Sequence, residues 1–226
     1  MLIEGIVKSS LIDFPKTLSC ILFTSICNFD CFYCHNRDLI KGSGSIISED
    51  EIFSFLKKRQ GLLDGVVITG GEPTLQKDLI PFMSKIKALG YKIKLDTNGS
   101  KPEVVKNVLE ENLCDYFAVD YKAPQDRYFE ICSFPGTKVL ETINILLESN
   151  VDFEARTTVV PQLTLEDLIT MAKELPKLPK YVLNKYVKPK KFLEKDMERI
   201  NAKPYSPDEI KEMANVLRKY QPYVIT

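Results

Sequence analysis

The strongest constraint in this chain is a repeated alternation. Short apolar runs of strand length are each followed by a stretch with apolar residues at helical spacing. Candidate strands cover residues 18–23, 65–69, 91–96, 116–120, 151–160 and 181–187. Between them, Ser48 to Glu51 reads as a capping box opening a helix whose face carries Ile52, Phe53, Phe55 and Leu56. Leu79, Phe82, Met83, Ile86 and Leu89 recur at helical spacing, and Gly90 closes that helix. Ser100 and Pro102 open another, with Val105, Val108 and Leu109 inward. Further helices are expected over 139–147, 164–174 and about 207–220, with a short final strand at 223–226. Six β-then-α units predict an α/β fold, a parallel sheet covered by helices. Six are too few to close a barrel of eight, so the expectation is a partial, open (β/α)6 barrel.

Composition agrees with one ordinary domain. The chain has 226 residues, 44% of them apolar, enough for a sizeable core without disulfide or metal staples. No composition break marks a second unit, so 1–226 reads as a single domain with about 188–226 as its C-terminal extension. The 31 basic residues balance 31 acidic ones, which argues against nucleic acid or a membrane surface as the main partner. No apolar run reaches membrane-spanning length, and the first residues lack the long apolar stretch of a secretory signal. A reduced, cytoplasmic setting is expected for the six cysteines.

Cys20, Cys114 and Cys132 are scattered and read as small buried hydrophobes. Cys27, Cys31 and Cys34 instead fall within eight residues, spaced CxxxCxxC, just after the first strand. Three thiols so close cannot pair off, but they can converge on one inorganic centre. Other unusual residues also follow strands: Gly70, Gly71, Glu72 and Pro73 the second, Asp96 to Gly99 the third, Asp120 to Lys122 the fourth. Parallel α/β folds bind ligands at the carboxyl ends of their strands, so one end of the sheet should collect thiols, a glycine turn, carboxylates and a lysine. Asp120 and Lys122 alternate and should face one side together.

The spacing CxxxCxxC, with Tyr33 before the last cysteine, resembles the radical S-adenosylmethionine (SAM) superfamily. It is most similar to the branch that activates glycyl-radical enzymes, in particular the activators of anaerobic ribonucleotide reductase, with those of pyruvate formate-lyase close by. SLIDFP at 10–15, CHNRD at 34–38, TGGEP at 69–73, LDTNG at 95–99 and VDYK at 119–122 carry the likeness. The resemblance implies that 1–226 is one radical SAM domain and that Cys27, Cys31 and Cys34 ligate a [4Fe–4S] cluster, leaving one iron for SAM. It implies that Gly70, Gly71 and Glu72 line the methionyl amine through backbone atoms and that the main chain beside Tyr33 faces the adenine. Asp96, Asp120 and Lys122 match positions near SAM. Arg156 matches a strand position that reaches toward the SAM carboxylate. His35 and Asn36 would sit beside the cluster. A glycyl-radical enzyme is the implied substrate, with a flavodoxin or ferredoxin as electron donor.

The chain departs from the family pattern twice. Ile26 stands where glycine usually precedes the first cysteine, and Lys16 where glycine often follows DFP. No cysteine lies between Cys34 and Cys114, which speaks against an insert with additional clusters. Two other functional readings compete. One is a radical SAM enzyme for a small molecule, as in deazapurine biosynthesis. The other is a non-catalytic zinc or iron–sulfur binding module, although a zinc site of the three cysteines and His35 would need adjacent Cys34 and His35 to turn back onto one ion. Separately, the lysine-rich stretch 185–195 reads as a solvated loop, with a basic docking surface as the alternative.

Overall fold

The computed structural model describes residues 1–226. Its single sheet has eight strands in sequence order: β1 Ile3–Ser10, β2 Ser19–Thr24, β3 Gly65–Gly70, β4 Lys92–Thr97, β5 Tyr116–Asp120, β6 Asp152–Val159, β7 Tyr181–Lys185 and β8 Val224–Ile225. β2 to β8 are parallel, and β1 runs antiparallel to β2. β1 and β8 do not pair, so the barrel stays open. The six parallel strands read from the sequence are all present, within two residues at each end. β1 is an addition. Its burial does not alternate, because only Ile3 is fully buried and Gly5 rests on the Phe23 ring.

The helices are α1 Arg37–Ile40, α2 Glu49–Arg59, α3 Leu79–Ala88, α4 Pro102–Glu110, α5 Tyr128–Cys132, α6 Thr137–Leu147, α7 Leu165–Glu174, α8 Met197–Asn201 and α9 Pro207–Leu217. α2 begins at Ser48, whose hydroxyl accepts the Glu51 N–H at 3.2 Å. Only this half of the expected capping box forms there. Complete boxes open α7 and α9, at Thr164 with Asp167 and at Ser206 with Glu209. No helix is long and apolar enough to cross a membrane.

Strand alternation divides the interior in two. Ile93, Leu95, Phe117, Val119, Phe153 and Ala155 face the helices and build the main core. The alternate residues face the barrel interior. At its amino-terminal end Phe14, Ile21, Val67 and Tyr116 form a small apolar cluster with Phe23. Phe14 comes from the SLIDFP segment, and its ring centroid lies 6.2 Å from that of Tyr116. That segment therefore plugs one end of the barrel and leaves the other for the site.

Candidate functional site

Cys27, Cys31 and Cys34 lie on the loop between β2 and α1. This loop is tied down by backbone bonds from Ile26 N–H to Leu39 O (2.7 Å), Cys27 N–H to Ile40 O (3.2 Å) and Cys34 N–H to Cys31 O (3.1 Å). Its turn places Ile26 in the left-handed region, φ 70°; Lys16, at the second departure from the family pattern, has φ 56°. Both positions demand what glycine supplies without cost, and a β-branched isoleucine there is strained. Opposite the turn, the Gly71 N–H bonds Thr24 O and the Glu72 N–H bonds Ile26 O, each at 2.8 Å. A Cβ on Gly71 would overlap the Ile26 carbonyl oxygen. The glycine thus serves close packing of the two loops. With both N–H groups committed internally, what this turn can offer a ligand's amine is carbonyl oxygen.

All eleven site residues named from the sequence line one cavity of about 840 Å³, counted with its open mouth: the three cysteines, Tyr33, Gly70, Gly71, Glu72, Asp96, Asp120, Lys122 and Arg156. His35 and Asn36 line it too. The Glu72 carboxylate, however, turns into the protein, where it accepts from Thr74 N–H (3.0 Å), Thr97 Oγ1 (2.7 Å) and Asn98 N–H (2.6 Å). It braces the β3 and β4 loops against each other. Burial pushes its pKa up, against these bonds.

The wall opposite the cysteines is a chain of charges. Arg156 donates from Nε to Asp120 at 3.0 Å and from Nη1 to Asp96 at 3.2 Å. Lys122 Nζ donates to Asp120 at 2.9 Å, and the buried Lys94 pairs with Asp96. Asp120 and Lys122 share a face as expected. Burial would raise the Asp120 carboxyl, but Lys122 and Arg156 outweigh it and hold the pKa down at about 2. Burial likewise works against the charge of Arg156, and Asp96 and Asp120 reverse that and raise its pKa.

The thiols are held protonated in the protein alone. Burial, then Glu72, pushes Cys27 up to about 12, and burial with Cys31 nearby raises Cys34. Cys31 is raised first by the neighbouring Cys132 side chain and then by burial. No three of the chain's cysteine, histidine and carboxylate groups meet at single-ion distance. The donor set fits a thiolate-bound cluster: three cysteines on one loop line one cavity, with a backbone and an amide N–H aimed at the first of them. Phe29 N–H points at Cys27 Sγ (3.4 Å) and Asn98 Nδ2 at the same sulfur (3.9 Å).

Three residues with a part in the site escape sequence reading. Asn98 looks like half of an Asn-Gly turn, yet the positive φ (73°) falls on Gly99 alone, while Asn98 links Cys27, Asn28 and Ser100. Cys20, Cys114 and Cys132 are buried as expected, but the Cys132 carbonyl also accepts the Asp30 N–H of the cysteine loop at 2.9 Å. Lys94 sits inside a strand among apolar residues, and only its position opposite Asp96 gives it a part.

Comparisons with known proteins agree with this geometry. The family model described as the Radical SAM superfamily matches residues 21–175. A Methanocaldococcus jannaschii protein named "Putative glycyl-radical enzyme activating enzyme MJ1227" is 34% identical over 97% of this chain and 92% of its own. The 7-carboxy-7-deazaguanine synthase of Koribacter versatilis is 34% identical over 57% of this chain and 55% of its own. Among solved structures, a domain of the pyruvate-formate lyase-activating enzyme from Bacteroides vulgatus superposes with a TM-score of 0.57 at 19% identity, over 71% of this chain and 97% of that one. The family match over residues 21–175 and the relative matched over 97% of the chain place this protein in the radical SAM superfamily, as an enzyme homologous to a protein named as a glycyl-radical enzyme activating enzyme.

Proposed function

We propose that this protein holds a [4Fe–4S] cluster through Cys27, Cys31 and Cys34, binds SAM beside it, and takes hydrogen from the Cα of one glycine in a partner enzyme, an anaerobic ribonucleotide reductase or a related glycyl-radical enzyme. The observation that carries this reading is the convergence of three thiols, a glycine turn and an acid–base wall in one cavity at the carboxyl ends of the strands. Held by Cys27, Cys31 and Cys34, such a cluster would supply the one-electron chemistry that turns bound SAM into a hydrogen-abstracting reagent.

The chain's own residues orient and insulate. Carbonyls of the Gly70–Gly71 turn accept from the methionyl amine. Arg156 and Lys122 give the opposite wall cationic groups for the methionyl carboxylate, and Asp96 and Asp120 fix both cations in place. The main chain at Tyr33, which lines the cavity, faces the adenine. Asn98 and Phe29 direct N–H groups at Cys27.

An open barrel edge suits a substrate delivered as an extended loop of a large protein, and glycine leaves its Cα accessible to a radical. A flavodoxin or ferredoxin in the cytoplasm is the matching reductant. Similarity to a deazaguanine synthase over part of the chain supports a small-molecule substrate as the second reading. Anaerobic reconstitution tests the cluster: about four irons and four sulfides per chain are expected, with SAM cleavage lost on replacing any one of Cys27, Cys31 or Cys34 by Ala. Zinc as the only metal in protein prepared without oxygen would overturn the reading.

A further inference from the structure

The cysteine loop separates two openings. On one face is the cavity described above. On the other is a groove between α1 and the C-terminal extension, with Asp30, Arg37, Lys41, Lys191 and Leu193 among its lining residues. Ile40 lines both. Arg37 in the groove donates to the Cys31 carbonyl at 3.3 Å and pairs with Asp30 at 2.6 Å, so the groove floor is one side chain from the cysteine loop. Lys191 reaches across from the extension to Asp38 of α1 at 2.6 Å.

The extension beside this groove is basic. Residues 185–195 hold five lysines and one glutamate, a local charge of +4 in a chain whose total is zero. Lys191 is spent on Asp38, and Lys188 donates to Asn201. Lys185, Lys190 and Lys195 are exposed and make no ion pair or side-chain hydrogen bond. Among them stand exposed apolar residues: Val187 (59% exposed), Leu193 (38%) and Met197 (48%). Exposed apolar side chains on a segment whose unpaired charges are mostly lysine, with Glu194 and Glu198 the acidic exceptions, make a surface suited to transient docking of an acidic protein. Internal pairing would have neutralised these lysines, and a purely solvated loop gains nothing from the apolar residues.

Building on the proposed function, we propose that this groove and its lysine rim are the docking surface for an acidic protein that carries a one-electron centre, and that the electron enters the cluster from this side. The radical's substrate must come to the cavity side, where SAM binds. The electron need not. With the cysteine loop as the partition, reductant and substrate protein can be bound without competing for one mouth. The lysine field raises the encounter rate with an acidic carrier and fixes its orientation, and the apolar residues supply the contact.

The test measures cluster reduction itself, by absorbance in stopped flow. The reconstituted full chain is mixed with a reduced ferredoxin of net negative charge, or with dithionite. The variant Lys185→Glu/Lys190→Glu/Lys195→Glu should lose about tenfold in rate with ferredoxin and keep the wild-type rate with dithionite. The wild-type rate with ferredoxin should also fall steeply as salt is raised, a measurement that needs no variant. A ferredoxin rate independent of salt, or equal in the two proteins, would overturn the proposal. So would a variant that is reduced normally but no longer forms a radical on its protein substrate, because the surface would then seat the substrate. A wild-type chain with no reducible cluster would refute the functional reading and this proposal with it.

Discussion

Ile26 and Gly71 are packed backbone to backbone: the Ile26 carbonyl accepts the Glu72 N–H at 2.8 Å and occupies the space a Gly71 side chain would need. The cysteine loop and the glycine turn are therefore one unit, and Cys27 is positioned by a glycine 44 positions later in the chain. Gly71→Ala must push these strands of chain apart. We expect it to destabilise the metal-free protein by about 2–3 kcal/mol in urea unfolding, from overpacking and one weakened hydrogen bond. Unchanged stability with weakened SAM binding would mean that the glycine serves the ligand alone.

Ile26 and Lys16 carry positive φ without being glycine. Left-handed backbone costs an ordinary residue about 1–2 kcal/mol, while glycine adds about 0.5–1 kcal/mol of unfolded-state entropy. Ile26→Gly should thus stabilise the fold by about 0.5–1 kcal/mol, because the side chain is 41% exposed and little packing is lost. Lys16→Gly should stabilise in the same direction. Thermal unfolding at fixed pH checks both, and a lower midpoint for both would contradict the strain.

Asp120 is held at about 2, below its usual 3.8, by Lys122 and Arg156 acting against burial. A depressed carboxylate pKa contributes stability that is complete above about 4 and is lost as pH falls through about 2. Asp120→Asn should cost about 1–3 kcal/mol at neutral pH, since it leaves two cations with one anion fewer. The difference from wild type should shrink as pH falls from about 4 toward 2 and vanish only below it. A constant difference from pH 7 to pH 2 would show that shape, not charge, is what the substitution removes.

Much of this was legible in the sequence because strands and motifs coincide. The order of strand, then cysteines, glycine turn or carboxylate, fixes which residues meet at one end of a parallel sheet. β1 was hidden because an edge strand with a glycine and several exposed residues has no burial alternation to read. The likeness to relatives marked Ile26 and Lys16 as odd, but only backbone angles explain why. Asn98 and Cys132 act through partners 70 to 102 residues away, Lys94 acts on the inner face of a strand, and nothing local marks them. Arg156 could be placed on a strand, whereas its seat between Asp96 and Asp120 depends on three neighbouring strands in register.

The central claim is that the radical made in this cavity is delivered to a glycine of another protein. The most direct measurement mixes anaerobically reconstituted, reduced protein with SAM and each glycyl-radical enzyme encoded in the source genome, then records the paramagnetic resonance spectrum. A glycyl-radical signal in one of them is expected, matched by equal methionine and 5′-deoxyadenosine and absent with Cys31→Ala. No signal with any candidate, together with SAM-dependent turnover of a small metabolite, would contradict the account.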